Sequence, residues 1–353
     1  MILERLKNDV VIGDGGALFE LERRGYLSAG PFTPEVSINH PEALLQLQID
    51  FARAGAEVIQ ALTYYAHEEK LKTVGLDGAL VSINEAAVKI ANQAAKEYGA
   101  LVAGNLSNTW VFDPADPSSY VETRRQFDRQ IEYQAIHGVD FFIAETIEYL
   151  GEAKIALEAI QDSGKPSMIT LGFKYSDSTL DGYSLEEAYK ELEGAGADIL
   201  GVNCFRDPER MLPLGIRVKN AVSCHVALQP VAYRCSDERP YFQVQKFKDR
   251  FAFPLELDPF VLTRFEMADY ARKAKDSGIS YIGGCCGTGP HHIRSMAEAL
   301  GRVTPNSIYS PRIDLHPVIG DEKNIKERDK RILCEMRHGE AICHFSEKQN
   351  KDK

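Results

Sequence analysis

The stretch GVDFFIAET, Gly138–Thr146, decides the fold. A glycine suited to close a helix in a left-handed turn is followed at once by a run of apolar residues that does not alternate with polar ones. An acid, Glu145, stands at its end. A strand with one wet face would alternate, so this one has both faces covered, as in a parallel sheet clad by helices. The unit recurs. Short apolar runs at Val10–Gly16, Glu57–Leu62, Leu101–Leu106, Asp140–Thr146, Ser167–Phe173, Asp198–Cys204, His225–Ala232 and Ile279–Cys286 are separated by segments of helical composition. Gly55, Gly99, Gly138, Gly164, Gly196 and Gly278 each precede one of them. In Pro41–Ala54, Leu44, Leu47 and Phe51 share one helical face. Eight helix, glycine, strand units predict an α/β chain folded as a (β/α)8 TIM barrel rather than an open doubly wound sheet, and no GxGxxG follows the first strand.

The barrel is assigned to residues 1–302, and residues 303–353 to a C-terminal extension. From Asp321 to Lys353, 17 of 33 positions are charged, which builds no strand and helix unit but suits a solvated helix, a disordered end or an oligomerisation arm. With 44% hydrophobic and 26% charged residues over 353 positions, most of the chain is globular. A net charge of -11 argues against nucleic acid or an anionic membrane as partner. MILERLKNDV at the N-terminus has no signal-peptide core, and the expectation is a cytoplasmic protein acting on small molecules as a homo-oligomer. Seven cysteines in such a chain suggest metal binding or reactivity rather than a disulfide framework.

Catalytic groups of such barrels sit at the C-terminal strand ends. Here these ends carry Asp14, Tyr64 and Tyr65, Asn105, Glu145, Cys204, Gln229 and the pair Cys285–Cys286, while Cys224, Cys235, Cys334 and Cys343 lie elsewhere. No CxxC pair exists, so a closed structural zinc site is not indicated. Cys204 and Cys285 are 81 residues apart and only the barrel would bring them together. Three thiolates with one open position is the pattern of a catalytic zinc, and Gly283, Gly284 and Gly287 would let both adjacent cysteines face one ion. The plainer reading is three buried small hydrophobes.

GDGG (Gly13–Gly16), GVNC (Gly201–Cys204) and GGCCG (Gly283–Gly287), in that order on strands one, six and eight, resemble the zinc-dependent homocysteine S-methyltransferases. The similarity covers roughly residues 1–316 and is greatest to the members that use glycine betaine. It runs through RRGYLSAGPFTPE (Arg23–Glu35), HPEA (His40–Ala43), YYAHEEKL (Tyr64–Leu71), LVAG (Leu101–Gly104), IAE (Ile143–Glu145), QPVAY (Gln229–Tyr233) and DYARKA (Asp269–Ala274).

The resemblance implies Zn2+ held by Cys204, Cys285 and Cys286, and homocysteine bound through its sulfur. It further implies that Asp14 and Glu145 receive the amino group of homocysteine, with the N–H groups of Gly15 and Gly16 available to its carboxylate. A paired acid and base is the other use of two carboxylates, but methyl transfer from an onium donor needs none. Phe32, Tyr64 and Tyr65 match positions lining the donor site, where aromatic faces attract an onium group, and His316 matches one near the donor carboxylate. Two departures stand out: Phe32 replaces the usual Trp, and Thr146 replaces a Tyr that approaches the open zinc position, where water is the expected ligand. Trp110 is a further candidate for the barrel mouth. The expected activity is methyl transfer from betaine to homocysteine, giving methionine and dimethylglycine. The alternatives are a sulfonium donor (dimethylsulfoniopropionate or S-methylmethionine) and, in another class, a thiol or zinc sensor without turnover.

Overall fold

A computed structural model describes residues 1–303, 312–317 and 320–330. Its main sheet has eight parallel strands: β1 (Val11–Ile12), β2 (Val58–Gln60), β3 (Leu101–Leu106), β4 (Phe141–Ile147), β5 (Ser167–Leu171), β6 (Ile199–Asn203), β7 (His225–Gln229) and β8 (Tyr281–Ile282). Their spatial order is β1-β8-β7-β6-β5-β4-β3-β2. At the seam between β1 and β2, Glu57 N–H donates to the Ile12 carbonyl at 2.8 Å and Ile12 N–H donates to the Glu57 carboxylate at 3.0 Å. A side chain thus stands in for a backbone acceptor and draws the sheet into a barrel.

All eight expected strands are present; Leu101–Leu106 is reproduced residue for residue, β4 is shifted by one residue at equal length, and the other six are shorter than their apolar runs. The trimming falls mainly at the C-terminal ends: Gly13–Gly16 and Gly283–Cys286 leave the ladder and become loops, whose glycines let backbone cross backbone. The six glycines ahead of the strands adopt positive φ, 114° at Gly55 and 64° at Gly99, as a left-handed helix stop requires. Helices after the strands begin on proline at Pro41, Pro117, Pro208 and Pro290, where a missing N–H costs nothing.

Strand parity then sorts the interior. Val58, Ala103, Phe141, Ile143, Ile199, Ala227 and Tyr281 form one apolar cluster inside the barrel, closed below by Ile2 and Leu6 of the first helix, Ile2–Asn8. Two residues further along the same faces stand Gln60, Asn105, Glu145 and Gln229, and on β6, four residues beyond Ile199 and past Gly201, stands Asn203. The interior therefore changes from hydrocarbon to amide and carboxylate within one layer, at the end where the loops gather.

The chain divides into two compact units, Met1–Val303 and Thr304–Lys353. The barrel is the first. In the second, the described residues form short 3-10 turns at Ile313–Leu315, Glu322–Asn324 and Glu327–Asp329, and the exposed His316 follows the first of these. Cys334, Cys343 and most of the expected oligomerisation arm lie outside the described residues.

Candidate functional site

A cavity of about 340 Å3 opens at the C-terminal end of the barrel. Asp14, Gly15, Gly16, Phe32, Tyr64, Tyr65, Glu145, Cys204, Cys285 and Cys286 all line it, which leaves only His316 of the expected site residues unplaced, in the other unit. Of the seven non-glycine residues with positive φ among the described residues, six line this cavity: Phe32, Tyr65, Trp110, Thr146, Cys204 and Phe205. Such backbone costs on the order of 1–3 kcal/mol per residue and clusters where side chains must be aimed.

The three sulfurs lie within 4.8 Å of one another, with Cys204 Sγ to Cys286 Sγ at 3.7 Å and Cys285 Sγ to Cys286 Sγ at 4.0 Å. Cys204 directly follows β6, held by its N–H on the Gln229 carbonyl at 2.9 Å. The GGCCG loop is pinned by Cys285 N–H on the Pro230 carbonyl (2.8 Å), by Ala232 N–H on the Cys286 carbonyl (2.9 Å) and by Gly284 N–H on the Asp14 carbonyl (3.1 Å). Adjacent cysteines face one point because the chain has already left strand geometry, and Gly287, at φ 78°, lies so close to the Tyr233 ring that a Cβ would meet it at 2.6 Å. Hydrogen bonds from Cys285 and Cys286 hold the Cys204 thiol well below its ordinary range, while those same bonds to Cys204 push the other two up, with burial and the Cys204 charge adding to it. The cluster thus carries negative charge and invites a cation. Cys224 and Cys235 are different: burial pushes them up to about 11 and about 12, so they are inert thiols.

A chain of hydrogen bonds runs along the floor. Gln60 N–H donates to Asp14 Oδ2 (2.8 Å), and Gln60 Nε2 donates to Glu145 Oε1 (2.8 Å). Asn105 Nδ2 donates to the same oxygen at 2.5 Å and Asn203 Nδ2 to Glu145 Oε2 at 3.2 Å. Burial pushes Asp14 up to about 8, with the Glu145 charge adding to it, and pushes Glu145 up to about 7 against the opposing hydrogen bond from Asn105. Both acids therefore gain from a cation brought to them. The side-chain oxygens of Gln60, Asn105 and Gln229 are buried and unpartnered, three more acceptors for a ligand donor at the same level.

One glycine expectation, that for Gly16, is corrected. Gly16 N–H is already donated to the Thr288 carbonyl at 3.0 Å and is not available to a substrate carboxylate. Close approach requires both glycines: a Cβ on Gly15 would meet the Thr288 carbonyl oxygen at 2.2 Å, and one on Gly16 the Cys285 carbonyl oxygen at 2.6 Å. They let the β1 and β8 loops interlock.

Aromatic rings form two groups. Tyr64 and Tyr65 lie 4.4 Å apart, and Tyr65 meets Trp110 edge-on at 5.3 Å. Phe32 packs on Phe19 (5.3 Å) and Phe253 (6.0 Å), with Phe242 beyond Phe19 at 6.1 Å. Phe242 and Phe253 come from the long connection after β7, which carries a small hairpin, Lys246–Phe247 with Arg250–Phe251. Thr146 turns its hydroxyl to Asn203 Nδ2 at 2.7 Å, so it offers no counterpart to a tyrosine reaching the sulfurs. Sequence reasoning missed Gln60, Asn203, Lys70 and the Phe242–Phe253 segment. The first two were detectable as polar residues on the interior parity of β2 and β6; the others left no pattern.

A profile of the homocysteine S-methyltransferase family matches residues 11–300. Betaine–homocysteine S-methyltransferase 1 of Danio rerio is 43% identical over 85% of this chain and 75% of its own length. An S-methylmethionine–homocysteine S-methyltransferase of Pongo abelii is 36% identical over 85% and 81%. In fold, the chain resembles the metallated Escherichia coli homocysteine methyltransferase MmuM, with TM-score 0.65 at 21% identity, covering 82% of this chain and 95% of that one. The profile spans all eight strands and every residue from Asp14 to Cys286 that lines the cavity, and on that ground the chain is a methyltransferase of the homocysteine S-methyltransferase family.

Proposed function

We propose that the chain transfers a methyl group from glycine betaine to L-homocysteine, giving methionine and dimethylglycine, at a zinc ion held by Cys204, Cys285 and Cys286. The observation that carries the proposal is the convergence of three thiols from two distant loops beside the acid floor of a single cavity. The donor set suits the metal. Tetrahedral zinc with Zn–S near 2.3 Å needs sulfurs about 3.8 Å apart, and the nearest pairs here are at 3.7 and 4.0 Å. When bound, zinc would supply thiolate character to an incoming thiol at neutral pH, where a free thiol of pKa about 8.5 is mostly protonated.

The rest falls to the chain's own groups. Asp14 and Glu145 receive the homocysteine ammonium, each fixed by amide donors so that its orientation costs no entropy on binding. The aromatic walls keep water from the sulfur and accept the onium methyls. Sulfur attacks a methyl carbon in line with nitrogen; the S–C bond forms as the N–C bond breaks, the bonding pair stays on the amine, and the thiol proton has left beforehand. Betaine as donor is supported by the relatives at 42–43% identity that carry it in their names. A cytoplasmic setting, in which all these thiols stay reduced, and a homo-oligomeric assembly go with the reading. Among the described residues no helix is long and apolar enough to cross a membrane.

The test is a donor panel. Metal-loaded protein with homocysteine and glycine betaine, dimethylsulfoniopropionate or S-methylmethionine is assayed for methionine. Methionine from betaine is expected. Turnover of sulfonium compounds alone would overturn the donor, and methionine from none would overturn the reaction in favour of a binding protein.

A further inference from the structure

Lys70 is 8% exposed, lines the cavity and has no carboxylate within ion-pair distance among the described residues. Its Nζ stands over the Trp110 ring at 4.3 Å and the Tyr65 ring at 5.1 Å. The acids around it are engaged elsewhere. On its own short helix, Glu69 pairs with Lys72 at 2.8 Å, and Glu68 pairs with Arg129 at 2.7 Å and Arg125 at 3.0 Å. Glu148, on the cavity wall, is taken by Lys174 at 2.7 Å. The rings themselves are held in place: Thr109 N–H and Oγ1, just before Trp110, both donate to the buried Glu152 carboxylate at 2.7 Å. A buried ammonium without an anion is costly, and two π-faces compensate only in part.

We infer that Lys70 is the binding residue for the carboxylate of the methyl donor. The inference rests on the proposed reaction and deepens it, because it makes the cavity bipolar. Asp14, Glu145 and the three sulfurs form an end that draws positive charge; Lys70, over Trp110 and Tyr65, forms one that draws negative charge. The lysine occupies those two ring faces, and its own charge repels a second cation from them, which leaves Phe32 and Tyr64 as the walls that accept the onium group. An onium group is thereby directed away from Lys70 and toward the sulfurs, while a carboxylate on the same small molecule reaches Lys70. A zwitterion is held methyl-first, and an onium compound lacking the carboxylate loses both the anchor and the orientation.

Trp110 is the sole tryptophan, so its emission reports on this spot. Full-length, metal-loaded protein, kept free of homocysteine so that no methyl transfer occurs, is titrated with glycine betaine, dimethylsulfoniopropionate and choline, the last having no carboxylate. In Lys70→Gln, binding of both zwitterions should weaken on the order of ten- to a hundredfold, the span of one charge-assisted hydrogen bond. Lys70→Arg should recover part of it. Choline should bind weakly and equally to wild type and Lys70→Gln, and homocysteine affinity should move less than about threefold. Lys70→Met, of similar reach and uncharged, guards against a defect peculiar to glutamine. Equal betaine affinity in wild type and both uncharged variants would overturn the inference. So would an equal loss for choline, or a loss confined to homocysteine. If wild type makes methionine only from dimethylsulfoniopropionate, the betaine reading fails while the Lys70 comparison is still decided on that donor.

Discussion

Replacing Glu145 by Gln removes one charge and almost no volume. In the wild type, Glu145 Oε1 accepts from Gln60 Nε2 and Asn105 Nδ2 while Oε2 accepts from Asn203 Nδ2, so three amide donors converge on two oxygens. A glutamine keeps one oxygen and must aim its NH2 at a donor. That mismatch costs about 1–3 kcal/mol, but the variant also sheds a buried charge near the Cys204 sulfur, which itself raises the Glu145 pKa. The two effects oppose, and net stability should change by about 1 kcal/mol or less. Ligand binding has no such compensation. The homocysteine ammonium loses a charge-assisted bond of about 1.5–3 kcal/mol, a factor of roughly 10–150 in Kd. Calorimetric titration of L-homocysteine into metal-loaded Glu145→Gln, with zinc content measured on the same sample, reads this directly. A Kd within about twofold of wild type, in a folded and metal-loaded variant, would show that Glu145 does not face the ammonium.

Three further outcomes follow from the geometry. Cys286→Ala removes one of three sulfurs and should abolish turnover and lower zinc affinity by orders of magnitude; full occupancy and activity, read by metal analysis and methionine assay, would remove the site. Tyr65→Ala deletes a ring against Tyr64, Trp110 and Lys70, so donor KM should rise about tenfold or more with homocysteine KM nearly unchanged; a change confined to homocysteine would contradict the placement of the donor wall. Asp14 has its folded-state pKa raised from 3.8 to about 8, so its contribution to stability is full below about pH 4 and is lost as pH rises through about 8. A divalent ion with three thiolates has the same net charge as one thiolate, so metal loading leaves this sign intact. The thermal midpoint without homocysteine should therefore fall from pH 5.5 to 8.5, and less steeply in Asp14→Asn; parallel slopes would refute it.

The barrel was legible because its units are local: a glycine stop and a run apolar on both faces can be counted, and all eight strands lie where those runs are. Strand ends were less legible, since Gly13–Gly16 and Gly283–Cys286 follow the apolar residues of their strands directly, and their interlocked backbones, with no room for a Cβ at Gly15 or Gly16, make them loops. That same interlock takes the Gly16 N–H that sequence reasoning had left for the substrate. Residues at strand ends, such as Asp14, Glu145 and Cys204, could be named from position and chemistry together. Lys70 could not, because its meaning lies in an absence of ion-pair partners that depends on where Glu68, Glu69 and Glu148 point. The Phe242–Phe253 segment belongs to a long irregular connection whose rings reach the cavity wall through tertiary contacts with Phe19.

The central claim is that three cysteine sulfurs hold one zinc and leave a place for the sulfur of homocysteine. X-ray absorption at the zinc edge on the full-length protein, before and after L-homocysteine, tests it most directly. The account predicts one zinc per chain with three sulfurs near about 2.3 Å and one lighter neighbour, becoming four sulfurs when homocysteine is added. Fewer than three sulfurs at the start, or a coordination shell unchanged by homocysteine, would contradict it.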